Sequence, residues 1–250
     1  MSSQYDSFAN TYGRAVALDV RRYVDYFSLT RALGDVGGQA VLDVGCGTGV
    51  ITRMLKQRGA RRVVGLDLSE GMLDVARGEE ARSPLGVEYV RRDIADAGAL
   101  GPFDLVTACY VLPHASSPDQ LAAMCRGIHE ALAPGGRFVA IHPNDAFAVN
   151  DPAYYSAYGL RASVDGRLED AAPMKVTVTT VDAEMTISTH YWTRGGYEAA
   201  LRRAGFREIR WRSPEVAPEG IEALGEAFWS NYLARPYAML FECTKEPALR

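Results

Sequence analysis

Residues 40–49 read Ala-Val-Leu-Asp-Val-Gly-Cys-Gly-Thr-Gly, an apolar run that breaks into three alternating glycines. Such a run, bounded by glycines, predicts a buried strand ending in a tight turn, and the stretch from Val50 to Gln57 behind it predicts a helix. A strand, a glycine loop and a helix in immediate succession commit the chain to a parallel sheet with helical crossovers. The following segments keep to that alternation. Val63-Val-Gly-Leu-Asp67 is a second strand, and Ser69 caps a helix to about Arg77. Val87-Glu-Tyr-Val90 and Phe103-Asp-Leu-Val-Thr-Ala108 are the third and fourth strands. A helix over 118–132 closes at Pro134-Gly135-Gly136, and Arg137-Phe-Val-Ala-Ile141 is the fifth strand. With right-handed crossovers this is a doubly wound α/β sheet with helices on both faces.

Ahead of the sheet, Val16, Val20, Val24 and Phe27 recur at intervals of three or four, so residues 4–33 read as helical up to Gly34. The periodicity breaks over 144–175, which is rich in Asp, Pro, Ala and Tyr. Lys175-Val-Thr-Val-Thr and Met185-Thr-Ile-Ser-Thr then flank Val181-Asp-Ala-Glu184 as a β-hairpin, expected to cap the sheet. A helix over 194–204, a strand Arg207-Glu-Ile-Arg-Trp211, a helical stretch over 218–233 and a terminal strand Ala238-Met-Leu-Phe-Glu-Cys243 follow. The expected organisation is an N-terminal helical lid (1–37), a ligand-binding core (38–143), a cap with the hairpin (144–192) and a C-terminal return to a seven-stranded, mostly parallel sheet (193–250).

The glycine spacing narrows the ligand. A dinucleotide-binding Gly-x-Gly-x-x-Gly would put its third glycine at position 50, where Val50 stands. A phosphate-binding P-loop needs Gly-Lys-Ser/Thr, which is absent. The alternation Gly45, Gly47, Gly49 still lets a ligand approach the backbone, and Asp43 offers a carboxylate to a cationic ammonium rather than to a pyrophosphate. Asp67 ends the second strand 18 residues after Gly49 and offers acceptors to both ribose hydroxyls. After the third strand, Asp93 suits an adenine amino group, Ile94 packs on the ring, and Met72 covers its other face.

Net charge is −4, without the basic stripe a nucleic-acid enzyme needs, so nucleic acid and anionic membranes are excluded as partners. Four Arg-Arg pairs (Arg21-Arg22, Arg61-Arg62, Arg91-Arg92, Arg202-Arg203) stand among acidic residues and read as solvated faces. Cys46, Cys109, Cys125 and Cys243 are far apart, with no metal-ligand spacing, as expected of free thiols in a reducing compartment. No apolar stretch approaches the roughly 20 residues that span a bilayer, and the N-terminus lacks a signal-peptide pattern, so a cytoplasmic protein is expected.

The series Val41-Leu-Asp-Val-Gly-Cys-Gly-Thr-Gly49, Gly65-Leu-Asp67, Arg92-Asp93-Ile94, Phe103-Asp-Leu-Val106 and Leu132-Ala-Pro-Gly-Gly-Arg-Phe138 resembles the class I, Rossmann-like methyltransferases. The resemblance covers about residues 38–143, with the motifs in order and at the family's spacing. It implies S-adenosylmethionine as cofactor and a set of contacts formed by Asp43, Gly45, Cys46, Gly47, Gly49, Asp67, Leu68, Met72, Asp93, Ile94, Cys109 and Tyr110. Tyr5 and Tyr12 join them because the matching N-terminal segment closes over the cofactor in that family. A narrower resemblance, to the toxoflavin-synthase-type methyltransferases, rests on Gln4-Tyr5-Asp6 through Tyr12, Tyr110-Val-Leu112, Tyr191-Trp192, Ala204-Gly-Phe-Arg-Glu-Ile-Arg-Trp211 and Pro218-Glu-Gly-Ile-Glu-Ala-Leu-Gly-Glu-Ala-Phe-Trp229. It implies N-methylation of an azapteridine-like heterocycle, a planar small molecule; a monomer or homodimer is expected.

Methyl transfer from a sulfonium needs alignment more than activation, and no metal. A base is needed only when the nucleophile arrives protonated. His114, just beyond the fourth strand, is the expected base or substrate orienter, because doubly wound sheets bind ligands at that edge. His142 after the fifth strand, with Tyr155, Trp192 and Trp229, is expected to touch the substrate; aromatic walls suit a flat heterocycle. His129 reads as a surface or packing residue, while His190 stays open between packing and function. Asn150-Asp-Pro-Ala-Tyr154 has the look of an amino-methylating element but lies after the wrong strand. O- or C-methylation, a nicotinamide-dependent oxidoreductase and a non-catalytic adenosylmethionine-binding subunit are the competing readings, with Val50 counting against the oxidoreductase.

Overall fold

The structure is a computed structural model that describes residues 4–7, 18–149, 151, 153–180 and 183–248. Strands β1 (Ala40–Val44), β2 (Arg62–Asp67), β3 (Glu88–Arg91), β4 (Phe103–Cys109) and β5 (Leu132–Pro143) alternate with helices as the patterning requires. The helices are α1 (Phe27–Leu33), α2 (Val50–Gln57), α3 (Glu70–Arg82) and α4 (Pro118–Ala131). Strands β6 (Leu160–Val164), β7 (Ala172–Thr179) and β8 (Glu184–Tyr191) then form a separate three-stranded antiparallel sheet. The chain returns through α5 (Arg194–Ala204), β9 (Arg207–Arg212), α6 (Pro218–Leu224), α7 (Glu226–Ala234) and β10 (Ala238–Thr244).

The main sheet has seven strands in the order β3-β2-β1-β4-β5-β10-β9. Only β10 runs against the others, being antiparallel to both β5 and β9. This is the mostly parallel, doubly wound α/β sheet expected from the sequence. Strand alternation sorts its core into two layers. Leu42, Val44, Leu66 and Phe138 face Leu121, Ile128 and Leu201 from α4 and α5. Val41, Val63, Leu105, Val139 and Ile141 face Leu29, Leu33, Ile51 and Leu55 from α1 and α2.

The chain winds outward from β1 to β3 and then restarts at β4 beside β1. The loops leaving β1 and β4 therefore diverge, and a crevice opens between them at the carboxyl ends of the strands. The cap sheet closes over that crevice, with Met174, Val176, Val178, Met185 and Ile187 packed against Val20, Val24, Tyr158, Trp229 and Tyr232.

Several local features differ from the expectation. The N-terminal region is not one regular helix: a 3-10 turn spans Gln4–Ser7, and a π-helical turn, Arg21–Tyr26, leads into α1. Strand β6 lies in the segment without periodicity, because the alternation of Leu160 and Ala162 with Arg161 and Ser163 is too short and too small-residued to register. Strand β5 runs to Pro143 rather than stopping at Ile141, since β10 pairs with it to the end. The last helical stretch breaks at Gly225, whose φ of +85° ends α6 and starts α7. Among the described residues, no helix is long and apolar enough to cross a membrane.

Candidate active site

The glycine loop is built around left-handed backbone. Gly45, Gly47 and Gly49 have φ of +69°, +54° and +83°, a region that costs other residues about 1–2 kcal/mol. Space is as restrictive as conformation. A Cβ on Gly45 would lie 2.4 Å from Val111, and one on Gly49 would lie 2.2 Å from the Tyr89 hydroxyl. The Gly45 and Cys46 amides both donate to the Leu66 carbonyl, at 2.7 and 3.0 Å, so the loop is tied to the end of β2. There Asp67 accepts the Gly47 amide on Oδ2 (2.8 Å) and the Ser69 amide on Oδ1 (2.9 Å). Burial pushes the Asp67 carboxyl up, opposed by the amides of Ser69, Gly47 and Leu68, and Asp6 pushes it the same way as burial.

One cavity of about 640 Å³ starts at this loop. Its near end is lined by Gly45, Gly47, Asp67, Leu68, Met72, Arg92, Asp93 and Ile94. Leu68 is 57% exposed despite being apolar, while Met72 and Ile94 line the cavity with little exposure to solvent. Two carboxylates, apolar side chains and a backbone that tolerates no Cβ suit a ribose and a purine, and the residues present therefore fit an adenosyl group. Asp93 also caps the 3-10 turn Ile94–Leu100, accepting the Ala95 amide at 2.9 Å, so one of its oxygens is committed to the fold.

The far end is lined by Tyr5, Arg21, Cys109, Tyr110, Pro113, His114, Pro143, Val176, Ile187, Ser188, Thr189 and Tyr237, among others. His114 ends the 3-10 turn Leu112–His114 just past β4. Its Nε2 is 2.8 Å from the Tyr5 hydroxyl, with the two rings edge to face. Burial, reinforced by the neighbouring His190, lowers the His114 pKa to about 4. The imidazole is therefore neutral at neutral pH and able to accept a proton. The carbonyls on either side of it are held by the cap: Thr189 Oγ1 donates to Pro113 O at 2.8 Å, and Trp192 Nε1 to Ala115 O at 3.1 Å. Tyr110, at a φ of +56°, stacks on Tyr237 and donates to the buried Asp25 at 3.0 Å. Arg21 lies over the Tyr110 ring and donates to the same Asp25 oxygen at 2.7 Å.

Most of the expected cofactor residues meet at this cavity: Tyr5, Gly45, Gly47, Asp67, Leu68, Met72, Asp93, Ile94, Cys109 and Tyr110. Asp43 does not. It shares the strand face of Val41, under α2, where Thr52 Oγ1 donates to it at 2.7 Å. Burial raises its pKa to about 7, so a carboxylate exposed to a ligand ammonium is the wrong picture. Cys46 and Gly49 also lie behind the wall, Cys46 with its sulfur turned towards Gly65. Tyr12 lies outside the described residues.

The expected substrate residues other than His114 are corrected. His142 is 2% exposed and lies inside β5, on the face of Phe138 and Ala140, because β10 extends the sheet past it. Its Nδ1 hydrogen-bonds Pro143 O at 2.7 Å and its ring packs on Tyr197, Trp211 and Phe241. Tyr155 accepts the Ala148 amide and donates to Arg235 O, both at 2.8 Å. Trp192 and Trp229 spend their N–H groups on Ala115 O and Gly220 O. All four are buried core residues away from the cavity lining. His129 packs edge-on against Phe206, as expected.

Arg21, Arg92, Thr189 and Tyr237 were not legible as site residues. Arg21 and Arg92 belong to pairs read as solvated, yet both line the cavity. The Arg21–Asp25 spacing of one helical turn was the available signal for the first. Thr189 and Tyr237 reach the site only through the cap sheet and the α7–β10 connection, and local pattern carries no trace of that.

Residues 41–136 match the family model described as a methyltransferase domain. An N-demethylindolmycin N-methyltransferase of Streptomyces griseus is 29% identical over 172 residues, 68% of this chain and 70% of that protein. A ubiquinone biosynthesis O-methyltransferase of Pseudomonas paraeruginosa is 39% identical, but over 41% of this chain and 43% of that protein. The crystal structure of an S-adenosylmethionine-dependent methyltransferase from Mesorhizobium loti superposes with a TM-score of 0.63 at 25% identity, covering 92% of this chain and 100% of that one. With the glycine loop and the Asp67 corner in the geometry described, residues 41–136 form a methyltransferase domain, and the chain is an S-adenosylmethionine-dependent methyltransferase.

Proposed function

We propose that this enzyme N-methylates a small planar heterocycle of the azapteridine kind, with His114 taking up the proton that the acceptor loses. The observation that carries this reading is that one cavity joins the glycine loop to His114 and the cap. S-adenosylmethionine supplies a methyl group already activated on a sulfonium, so the chain's own residues have to orient the acceptor, exclude water and receive a proton. A volume of about 640 Å³ falls within the range of pockets for one drug-sized ligand, and cofactor and acceptor must share it. The acceptor is therefore small. Tyr5, Tyr110 and Tyr237 give the far end flat aromatic surfaces. The likeness to an N-demethylindolmycin N-methyltransferase over two thirds of the chain supports nitrogen as the methylated atom.

The likeness to a ubiquinone O-methyltransferase supports a second reading, methylation of a phenolic oxygen. A mass-shift screen with S-adenosylmethionine, azapteridines and small phenols separates the two. Methyl on a heterocyclic nitrogen is expected, and turnover of phenols alone would replace the first reading by the second. In the His114→Ala variant kcat should fall and the acidic limb of the pH–rate profile should disappear. If only KM rises, His114 binds the acceptor instead.

A further inference from the structure

We infer that Tyr5 is a catalytic residue that relays the acceptor's proton to His114, an inference that rests on His114 being the base. The Tyr5 hydroxyl occupies the Nε2 side of the imidazole at 2.8 Å, and both residues line the cavity. A phenol O–H is a stronger donor than an imidazole N–H, and an unprotonated ring nitrogen a stronger acceptor than a phenol oxygen, so the relay runs with the hydroxyl donating to Nε2. A proton bound for Nε2 must then pass through Tyr5 or wait for Tyr5 to leave. Leaving is opposed by the next residue. Asp6 accepts hydrogen bonds from Ser69 Oγ and from the Gly71 amide (3.1 Å), at the head of α3 beside Asp67. Gly71 is the position that admits this contact, since a Cβ there would lie 3.1 Å from Asp6 Cα. The segment holding Tyr5 is thus fastened to the corner that holds the ribose, and displacing the hydroxyl would loosen the cofactor site.

The step balances. As the acceptor's new bond to the methyl carbon forms, the carbon–sulfur bond of the donor breaks and its electron pair leaves on sulfur. The acceptor's proton passes to Tyr5 Oη while the original phenolic proton passes to His114 Nε2. Tyr5 is neutral before and after. The positive charge that leaves the sulfonium reappears on the imidazolium, so the step adds no net charge to the cavity.

The test combines Tyr5→Phe and His114→Ala kinetics with nitrogen-15 NMR of the histidines in the ligand-free protein. At pH 7 His114 should be the Nδ1–H tautomer, with an unprotonated Nε2 whose shift moves in Tyr5→Phe; a protonated Nε2 overturns the relay. Tyr5→Phe should lower kcat about 100-fold or more, leave S-adenosylhomocysteine affinity within about 3-fold, and add little to His114→Ala in the double variant, because the two residues act as one unit. Wild-type kcat in Tyr5→Phe with a slow His114→Ala overturns the relay alone. Wild-type kcat in His114→Ala overturns the base reading beneath it.

Discussion

The Asp67 carboxylate and the Gly47 amide are 2.8 Å apart, so the residue that ends β2 also fixes the turn that follows β1. The same carboxylate anchors the Ser69 amide ahead of α3. One side chain therefore joins the crossovers that leave β1 and β2 and lines the cavity. Replacing Asp67 by Ala removes a charged acceptor, worth about 1.5–3 kcal/mol per hydrogen bond. Calorimetry with S-adenosylhomocysteine should show affinity roughly 10- to 100-fold weaker, with the far-ultraviolet spectrum retained. Unchanged affinity would remove Asp67 from the ribose site.

Glycine is required at position 45 for two separable reasons, and a matched pair of variants separates them. Gly38 has a φ of +72° with nothing within 4 Å of a Cβ, whereas Gly45 has a φ of +69° and Val111 at 2.4 Å. Gly38→Ala should lose only the conformational component, about 1–2 kcal/mol by chemical denaturation. Gly45→Ala should lose more than that and bind S-adenosylhomocysteine at least 10-fold more weakly. Equal losses in the two variants would show that Val111 gives way.

Thr189 tests how firmly the cap holds the His114 turn. In Thr189→Val the shape is nearly kept, but the Pro113 carbonyl loses its 2.8 Å partner. A cost of about 1–3 kcal/mol is expected in a denaturation midpoint. Because the turn carries His114, kcat should fall while affinity for S-adenosylhomocysteine stays unchanged. A stability loss with intact kcat would make the contact purely structural.

Acid sensitivity follows from the buried histidines. Burial lowers the His142 pKa from 6.5 to about 4, and that of His114 likewise to about 4. The folded state then binds fewer protons than the unfolded state between these values. The stabilisation is complete above about pH 6.5 and is lost as pH falls towards 4, at no more than about 1.4 kcal/mol per pH unit for each group. Asp43, raised to about 7 by burial, acts oppositely: its protonated form is favoured by the fold, and stability falls as pH rises from 3.8 towards 7. The slope of the whole protein mixes these groups, so the informative quantity is a difference. The stability lost by His142→Phe at pH 7.5 should shrink at pH 5, and a constant difference would place the titration of His142 elsewhere.

Legibility divided along a physical line. Strand β1, the glycine turn and α2 were readable because backbone handedness and apolar periodicity are local properties of about 18 residues, Ala40 to Gln57. So was the placement of Asp67, Asp93 and His114 at the carboxyl ends of β2, β3 and β4, where the cavity opens. The errors arose where a side chain's direction depends on distant pairing. His142 looked like an edge residue until β10, almost a hundred positions later, was seen to extend the sheet beyond it. Asp43 belonged to the loop by sequence and to the α2 face by strand alternation. Tyr155, Trp192 and Trp229 had the composition of a binding wall, but their polar atoms are satisfied within the core.

By itself, the sequence determined the fold class and the glycine loop with its Asp67 neighbour, since both are written in short contiguous stretches whose spacing only one kind of turn satisfies. Only the tertiary structure decided which polar groups line the far end of the cavity. Tyr5 meets His114 across 109 positions, and Thr189 reaches Pro113 across 76. Contacts of that span depend on how the N-terminal segment and cap pack over the crevice, and no local propensity encodes them.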